Sequence, residues 1–349
     1  MSLHDSQTSP LQKPKPSTER ISVVIPCYNE ERFITQVLNN LADQYKAEQY
    51  EIIIVDGMSD DRTRELIGQF SRQRPDLKIV IIDNPARKIP AALNLGIAAA
   101  TGDIIARMDA HAVASPGYIR RCVEVLNDTG AGVVGMPCRV CPGDETLVAQ
   151  AIAQGVSHKF GIGDAKYRLQ EGVEGQEAVD TVAFGFFKKS TWKEIGGFNE
   201  QLLTNEDYDF NYRVRAKGKT VLLDRSEHCD YFARSTFAGL IKQYWRYGSW
   251  KARMVLLNPK SIKVRHMIAP LFVASIVSLF LSGFFFRPAW YLLALELASY
   301  LFLSFLFASQ ITKKVQGGVG LFLLMPLVFF TIHSSWGSAF FVGLVKAPR

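Results

Sequence analysis

Two short stretches pair residues whose types and spacing could do chemistry. Asp109-Ala-His111 follows a run of small and apolar residues that reads as the end of a buried strand, and Glu206-Asp207 sits within NEDYDFNYRVRAKG, residues 205–218. A carboxylate and an imidazole two residues apart at a strand exit offer a divalent cation two ligands, with a diphosphate as its cargo. A neutral imidazole suits Mn²⁺ better than Mg²⁺. The acidic pair offers carboxylates of the kind that serve as general bases. Each stretch also has a plain reading: His111 as a core or loop histidine, and Asn205 as the cap of a helix whose first acids favour its positive end.

These residues need elements to aim them. Ile21 to Pro26 (ISVVIP), Glu51 to Val55 (EIIIV) and Lys78 to Ile82 (KIVII) are β-branched runs, with segments of helical length at Glu30 to Asp43 and Asp61 to Arg74 between them. Strand and helix in alternation predict an α/β fold with a parallel sheet, in which ligands gather at the carboxyl ends of strands. The first exit is PCYNE, Pro26 to Glu30. The second is VDGMSDDRT, Val55 to Thr63, where Asp56 precedes the turn and is free to accept hydrogen bonds from a base, while Ser59, Asp60 and Asp61 serve as helix caps. Arg87 and Lys88 precede a small-residue helix, Ala91 to Ala100. Two cations there suit a diphosphate or a solvated basic turn.

The 349 residues are 48% hydrophobic, but unevenly spread. Charges almost vanish beyond Met267. Met267 to Phe286 carries none and is long enough to cross a hydrocarbon core of about 30 Å. Trp290 to Ser309 has Glu296 as its one charge, and Gly320 to Val345 contains His333 and an IHSSWGS stretch that makes it either a third span or a re-entrant turn. Intramembrane Glu296 and His333 are read as facing each other in a satisfied pair or as holding a lipid diphosphate. Lys251, Arg253, Lys260, Lys263 and Arg265 before the first span share a side with Lys313 and Lys314, which places the N-terminal domain in the cytoplasm, on the inner membrane. No apolar leader contradicts this. The net charge of +7 is explained by anionic lipid headgroups rather than nucleic acid. The five cysteines fit a reduced compartment, and Cys138-Arg-Val-Cys141 lacks a second pair for zinc. The expected organisation is a disordered tail over 1–19, a catalytic domain over 20–230, amphipathic interfacial helices over 231–266 and about three transmembrane helices over 267–349.

In order and spacing, PCYNE, VDGMSDDRT, ALNLGIAAATGDIIARMDAHA, GGFNE and NEDYDFNYRVRAKG resemble the family-2 glycosyltransferases, whose catalytic domain has the GT-A fold. The resemblance covers most of residues 20 to 230. FGIGDAKYRL (160–169), VDTVAFGFFKK (179–189), QYWRYGSWK (243–251) and HSSWGSAFFVGL add a likeness to membrane-attached glucosyltransferases of succinoglycan-type exopolysaccharide assembly. The resemblance implies a UDP-sugar donor, a polyprenyl-diphosphate-linked saccharide acceptor and other polysaccharide-assembly proteins as partners. By position, Pro26, Tyr28 and Glu30 would border the uridine, Asp56 would bind the uracil, and Arg87 and Lys88 would face the diphosphate. Asp109 and His111 match the family's Asp-x-Asp and would hold Mn²⁺ or Mg²⁺; Glu206-Asp207 matches the acidic pair whose aspartate, here Asp207, would be the base that takes the acceptor hydroxyl's proton. Gln243, Arg246 and Tyr247 resemble the Gln-x-x-Arg-Trp element with Tyr in place of Trp, so processivity does not carry over. With Arg168, on a candidate acceptor loop, they form the expected acceptor site.

Two other classes fit the same residues. A polyprenyl-phosphate hexosyltransferase would use the donor site with a lipid phosphate as nucleophile. A non-catalytic nucleotide-sugar-binding membrane protein would bind UDP without turnover.

Overall fold

The computed structural model describes residues 19–46, 49–169 and 175–345. The tail expected over 1–19 lies, except for Glu19, outside the described residues. The strands are β1 Ile21–Cys27, β2 Tyr50–Asp56, β3 Lys78–Asp83, β4 Ile104–Arg107, β5 Val113–Ala114, β6 Val133–Gly135, β7 Cys138–Cys141, β8 Gln176–Ala178, β9 Phe186–Lys188, β10 Val221–Asp224 and β11 Cys229–Phe232. The helices are α1 Ile34–Ala42, α2 Thr63–Gln73, α3 Ile89–Ala99, α4 Tyr118–Thr129, α5 Leu147–Gly155, α6 Lys159–Ile162, α7 Lys189–Ile195, α8 Glu206–Ala216, α9 Phe237–Leu257, α10 Val264–Gly283, α11 Pro288–Lys314 and α12 Val319–Val345.

The main sheet has the order β3-β2-β1-β4-β9-β6-β10-β8. Its first four strands are parallel, as their unbroken apolar runs require for a sheet buried on both faces. The short β9 runs antiparallel between β4 and β6, so the sheet is mixed but mostly parallel. A smaller sheet, β5-β11-β7, adjoins it. α1 packs through Ile34, Val37, Leu38 and Leu41, a helical spacing that lays one apolar stripe on the sheet. α3 lies closest: a Cβ on its Gly96 would come within 2.5 Å of Val24 Cγ1, so only glycine lets helix and strand approach this far. α1 and α2 start at Ile34 and Thr63, later than the expected Glu30 and Asp61, because those first residues tie the strand exits together.

Three helices are long and apolar enough to cross a membrane, and the third is one continuous helix through IHSSWGS rather than a re-entrant turn. The expected Glu296–His333 pair does not form. Glu296 accepts from Ser275 Oγ (2.5 Å) on α10, whereas His333 turns toward Tyr300 and Phe160. An apolar core joins Val140, Ile152, Leu240 and Tyr244 to Ala308, Met325, Val328 and Phe329. It ties the catalytic part to α11 and α12, and α9 lies along α12.

Candidate active site

The exits of β1 and β2 are locked to each other. Asn29, in the left-handed region (φ 54°) that Asn tolerates, donates its backbone N–H to Ser59 Oγ (2.9 Å) and its amide to Asp60 Oδ1 (2.6 Å). Asp56 is fully buried, and its carboxylate accepts from Ser59 N–H (3.0 Å) and Ser59 Oγ (2.5 Å), with Arg64 Nε at 3.6 Å. It fixes its own turn. Arg87, also left-handed (φ 53°), lays its guanidinium 5.2 Å from the Tyr28 ring centroid and donates to Met58 O at 3.4 Å. Tyr28 and Met58 are exposed, giving a flat platform at the sheet edge, with Pro26 half-buried beneath and Lys88 exposed before α3. Asn29, Met58, Arg87 and Asn205 are four of the five non-glycine residues with positive φ among those described, and they cluster in the loops around this site, where strain is characteristic of function.

Beyond β4, a turn closed by Ala112 N–H on Asp109 O (3.1 Å) carries the acid and the imidazole. Arg107, buried at the end of β4, donates to Asp109 Oδ1 (3.0 Å), to Ala183 O (2.6 Å) and, more weakly, to Glu206 Oε1 (3.4 Å). One guanidinium thus joins the two acidic motifs found in the sequence. Burial, then the charge of Asp207, pushes the Glu206 carboxyl up to about 7 despite Arg107. Asp207 is half-buried and accepts its neighbour Tyr208's N–H at 2.7 Å. α8 begins at Glu206 as expected, but the Asn205 side chain makes no cap hydrogen bond. Asp209 faces away from Asp207, bound by Arg213 (2.8 Å) and Asn258 (2.9 Å). Arg213 and Arg215 are structural, donating to backbone carbonyls of Ile195, Gly197 and Asp180.

His111 Nδ1 lies 2.9 Å from Glu30 Oε1, and that hydrogen bond holds the imidazole above its usual range, against burial. Glu30 therefore orients His111, leaving Nε2 as the lone-pair donor, in the way metal-ligating histidines are held by a carboxylate. Among the described residues no group of three or more His, Cys, Asp or Glu gathers to form a complete protein cage. Asp109 and His111 fit a cation that takes its remaining ligands from a diphosphate and water, the habit of Mg²⁺-type sites.

Asp109, Glu206 and Asp207 open into a cavity of about 500 Å³. On its far wall Gln243 donates to Tyr231 Oη (2.7 Å) and Tyr247 Oη (3.2 Å), the helical i, i+4 spacing placing Gln243 and Tyr247 on one face of α9. Arg168 stands 5.1–5.7 Å from the ring centroids of Tyr167, Tyr231 and Tyr247. Burial alone would raise the Tyr247 phenol, but the charge and hydrogen bond of Arg168 together with the charge of Arg246 bring it below its ordinary value. Arg246 lines the same wall. The cavity then runs on between Phe272, Tyr300, His333 and Trp336 of the three apolar helices. His333 Nε2–H donates to Phe160 O and Nδ1 accepts from Tyr300 Oη, both 2.9 Å, as the carbonyl can only accept.

The sequence-predicted residues fall into two groups. Tyr28, Glu30, Arg87, Lys88 and His111 form the rim, outside the cavity lining, while Pro26 is half-buried and Asp56 fully buried at the strand ends; Asp109, Glu206, Asp207, Arg168, Arg246 and Tyr247 line the cavity, with Gln243 hydrogen-bonded behind. Sequence reasoning missed Arg107, Tyr231 and Lys251 as site residues. Arg107 carried a signal, a cation at the end of an otherwise apolar strand. Lys251 carried none, since it sits in a run of juxtamembrane cations.

Residues 22–193 match the family model described as Glycosyl transferase family 2. The succinoglycan biosynthesis protein ExoA of Rhizobium meliloti is 30% identical over 256 residues, covering 73% of this chain and 75% of that protein. Dolichyl N-acetyl-alpha-D-glucosaminyl phosphate 3-beta-D-2,3-diacetamido-2,3-dideoxy-beta-D-glucuronosyltransferase of Methanococcus voltae is 27% identical, covering 93% of this chain and 97% of the relative. Among solved structures, the mannosyltransferase PcManGT from Pyrobaculum calidifontis, in complex with GDP-Man and Mn²⁺, superposes with TM-score 0.62 at 19% identity, over 96% of this chain and 91% of that one. Staphylococcus aureus TarS 1-349 in complex with UDP-GlcNAc gives 0.52 at 14% identity, over 94% and 92%. With the extent of the ExoA likeness and the GT-A arrangement of sheet, acids and cavity agreeing, this chain belongs to glycosyltransferase family 2.

Proposed function

We propose that this glycosyltransferase inverts the anomeric centre as it moves a hexose, glucose in the first instance, from a UDP-sugar to a polyprenyl-diphosphate-linked saccharide. The reaction takes place at the cytoplasmic face of the inner membrane, in exopolysaccharide assembly. The observation that carries the reading is the single cavity that joins the acids at the sheet edge to the three apolar helices. A nucleotide alone would need only the rim; a lipid-borne acceptor needs the whole path. The platform of Tyr28 and Arg87 stacks the nucleobase, and Arg87 with Lys88 faces the diphosphate. Asp109 and His111 would hold a divalent cation, which when bound neutralises charge on the leaving diphosphate. Asp207 takes the proton from the acceptor hydroxyl. Asp207→Asn is expected to lower transfer by about 10²- to 10⁴-fold while UDP binding persists.

A second reading, transfer to a lipid phosphate itself, is favoured by Arg168 and Arg246, cations that line the cavity with no carboxylate partner among the described residues. It predicts full activity in Asp207→Asn. The deciding experiment incubates membranes with radiolabelled UDP-sugars and with polyprenyl phosphate or diphosphate-linked saccharide acceptors, with and without EDTA. Label is expected in the saccharide acceptor and is lost in EDTA. If label reaches no lipid and no donor is hydrolysed, the reading is overturned.

A further inference from the structure

Lys251 has no part in the reaction described above, yet it is 4% exposed on α9 and lines the cavity with Asp207. Its Nζ stands 3.3 Å from the ring centroid of Tyr208, the residue after Asp207, and 3.7 Å from Met254 Sδ. No carboxylate lies within ion-pair distance of it among the described residues. Of the acids nearby, only Asp207 is left to bear on it, from beyond ion-pair distance; the others are committed elsewhere. Asp209 binds Arg213 and Asn258, and Asp180 binds Arg265 at 2.5 Å. The other cations on this wall divide the same way: Arg107 and Arg265 are paired with carboxylates, whereas Arg168 and Arg246 have none among the described residues. An ammonium taken out of water with only a ring face and a thioether for company is costly unless an anion arrives.

The position of Lys251 indicates which anion. Gln243, Tyr247 and Lys251 follow at i, i+4 and i+8, one stripe of α9. Lys251 shares the cavity with His266 and Ala269 of α10 and Trp336 of α12, at the membrane end, away from the rim of Arg87 and Lys88. We propose that Lys251 anchors a phosphate of the lipid-linked acceptor, with Arg246 and Arg168 as its flanking cations, a site that rests on the functional reading above. Covalent reach through Tyr208 keeps Lys251 Nζ within roughly 11 Å of the Asp207 Cα. The acceptor is therefore a short saccharide whose phosphate and reacting hydroxyl are held together. Burial, opposed by Asp207, brings the Lys251 ammonium down to about 7, among Asp207, Asp209, Asp180, Arg265 and His266, so an arriving phosphate would restore its full charge.

The test measures binding of a polyprenyl diphosphate, the matching polyprenol and UDP to the full-length protein in detergent, for wild type, Lys251→Met and Lys251→Arg. Lys251→Met is expected to weaken diphosphate binding by about tenfold or more, the scale of a charge-assisted hydrogen bond, with polyprenol and UDP unaffected and Lys251→Arg partly restored. Unchanged diphosphate affinity overturns the site; weakened UDP binding with intact lipid binding reassigns the cation to the donor and overturns it too. A fold-independent measurement uses the wild type alone: amine-reactive labelling of Lys251, read by mass spectrometry, should be blocked by polyprenyl diphosphate and not by UDP. The reverse pattern sinks the proposal. Wild type that binds the lipid diphosphate but transfers no sugar would overturn the functional reading and leave this site standing.

Discussion

Arg107 serves two acids at once, and the consequence shows in Glu206. Because burial and Asp207 raise its carboxyl to about 7, the folded chain keeps that proton to a higher pH than the unfolded chain, whose glutamate sits near 4.5. The stability associated with Glu206 is complete below the lower value and is lost as pH rises through the upper one. Glu206→Gln, which cannot ionise, should therefore gain in unfolding temperature relative to wild type between about pH 5 and about pH 8. Thermal unfolding at the two pH values checks this; a constant difference would contradict it. Asp109 and Asp207 could be picked out as cavity residues from local type and spacing, and Arg246 and Tyr247 through the resemblance of their stretch to a family element. Arg107 and Lys251 could not, because what defines them is the partner across the fold: Glu206, ninety-nine residues further along the chain, in one case, the want of an ion-paired acid among the described residues in the other.

At the scale of elements, β1, β2 and β3 were readable as β-branched runs, since buried parallel strands need no alternation. β9, three residues of FFK between β4 and β6, was not, because so short a run carries no period. The amphipathic α9 was legible as a helix, but not its seat. A Cβ on Gly248 would lie 2.3 Å from Trp336 O, and one on Gly343 2.3 Å from Ser249 O, so α9 and α12 touch backbone to backbone, as small residues allow between membrane helices. Gly248→Leu should push α9 away, costing about 1–3 kcal/mol. Because Gln243, Tyr247 and Lys251 ride on that helix, the variant should also raise KM for the lipid acceptor more than for the UDP-sugar. Gly318→Ala, where nothing lies within 4 Å, is the control and should leave both unchanged. Equal effects in the two variants would show that the close contact is not what seats α9.

For the whole molecule, the division into a catalytic part and apolar helices was visible in the distribution of charge alone, but the way they join was not. The shared core of Ile152, Tyr244, Met325 and Phe329 assembles residues from segments the sequence keeps far apart. The proposed orientation has a direct check. Single cysteines placed beside Arg287 and beside Gln316 should react from opposite sides of the membrane, with the Gln316 side shared by the catalytic domain. Labelling beside Gln316 from the periplasm and beside Arg287 from the cytoplasm would reverse the assignment. The hydrogen bond from His333 to the Phe160 carbonyl has a consequence of its own, because it pins the short helix α6 to the third span. In the reaction proposed above, Asp207 would then stand at a set height over the bilayer, and the enzyme would become a depth gauge. A lipid-borne sugar chain grown too long would carry its free hydroxyl past the carboxylate, so the anchor itself, rather than a pocket for each sugar, would decide how many sugars the acceptor already bears.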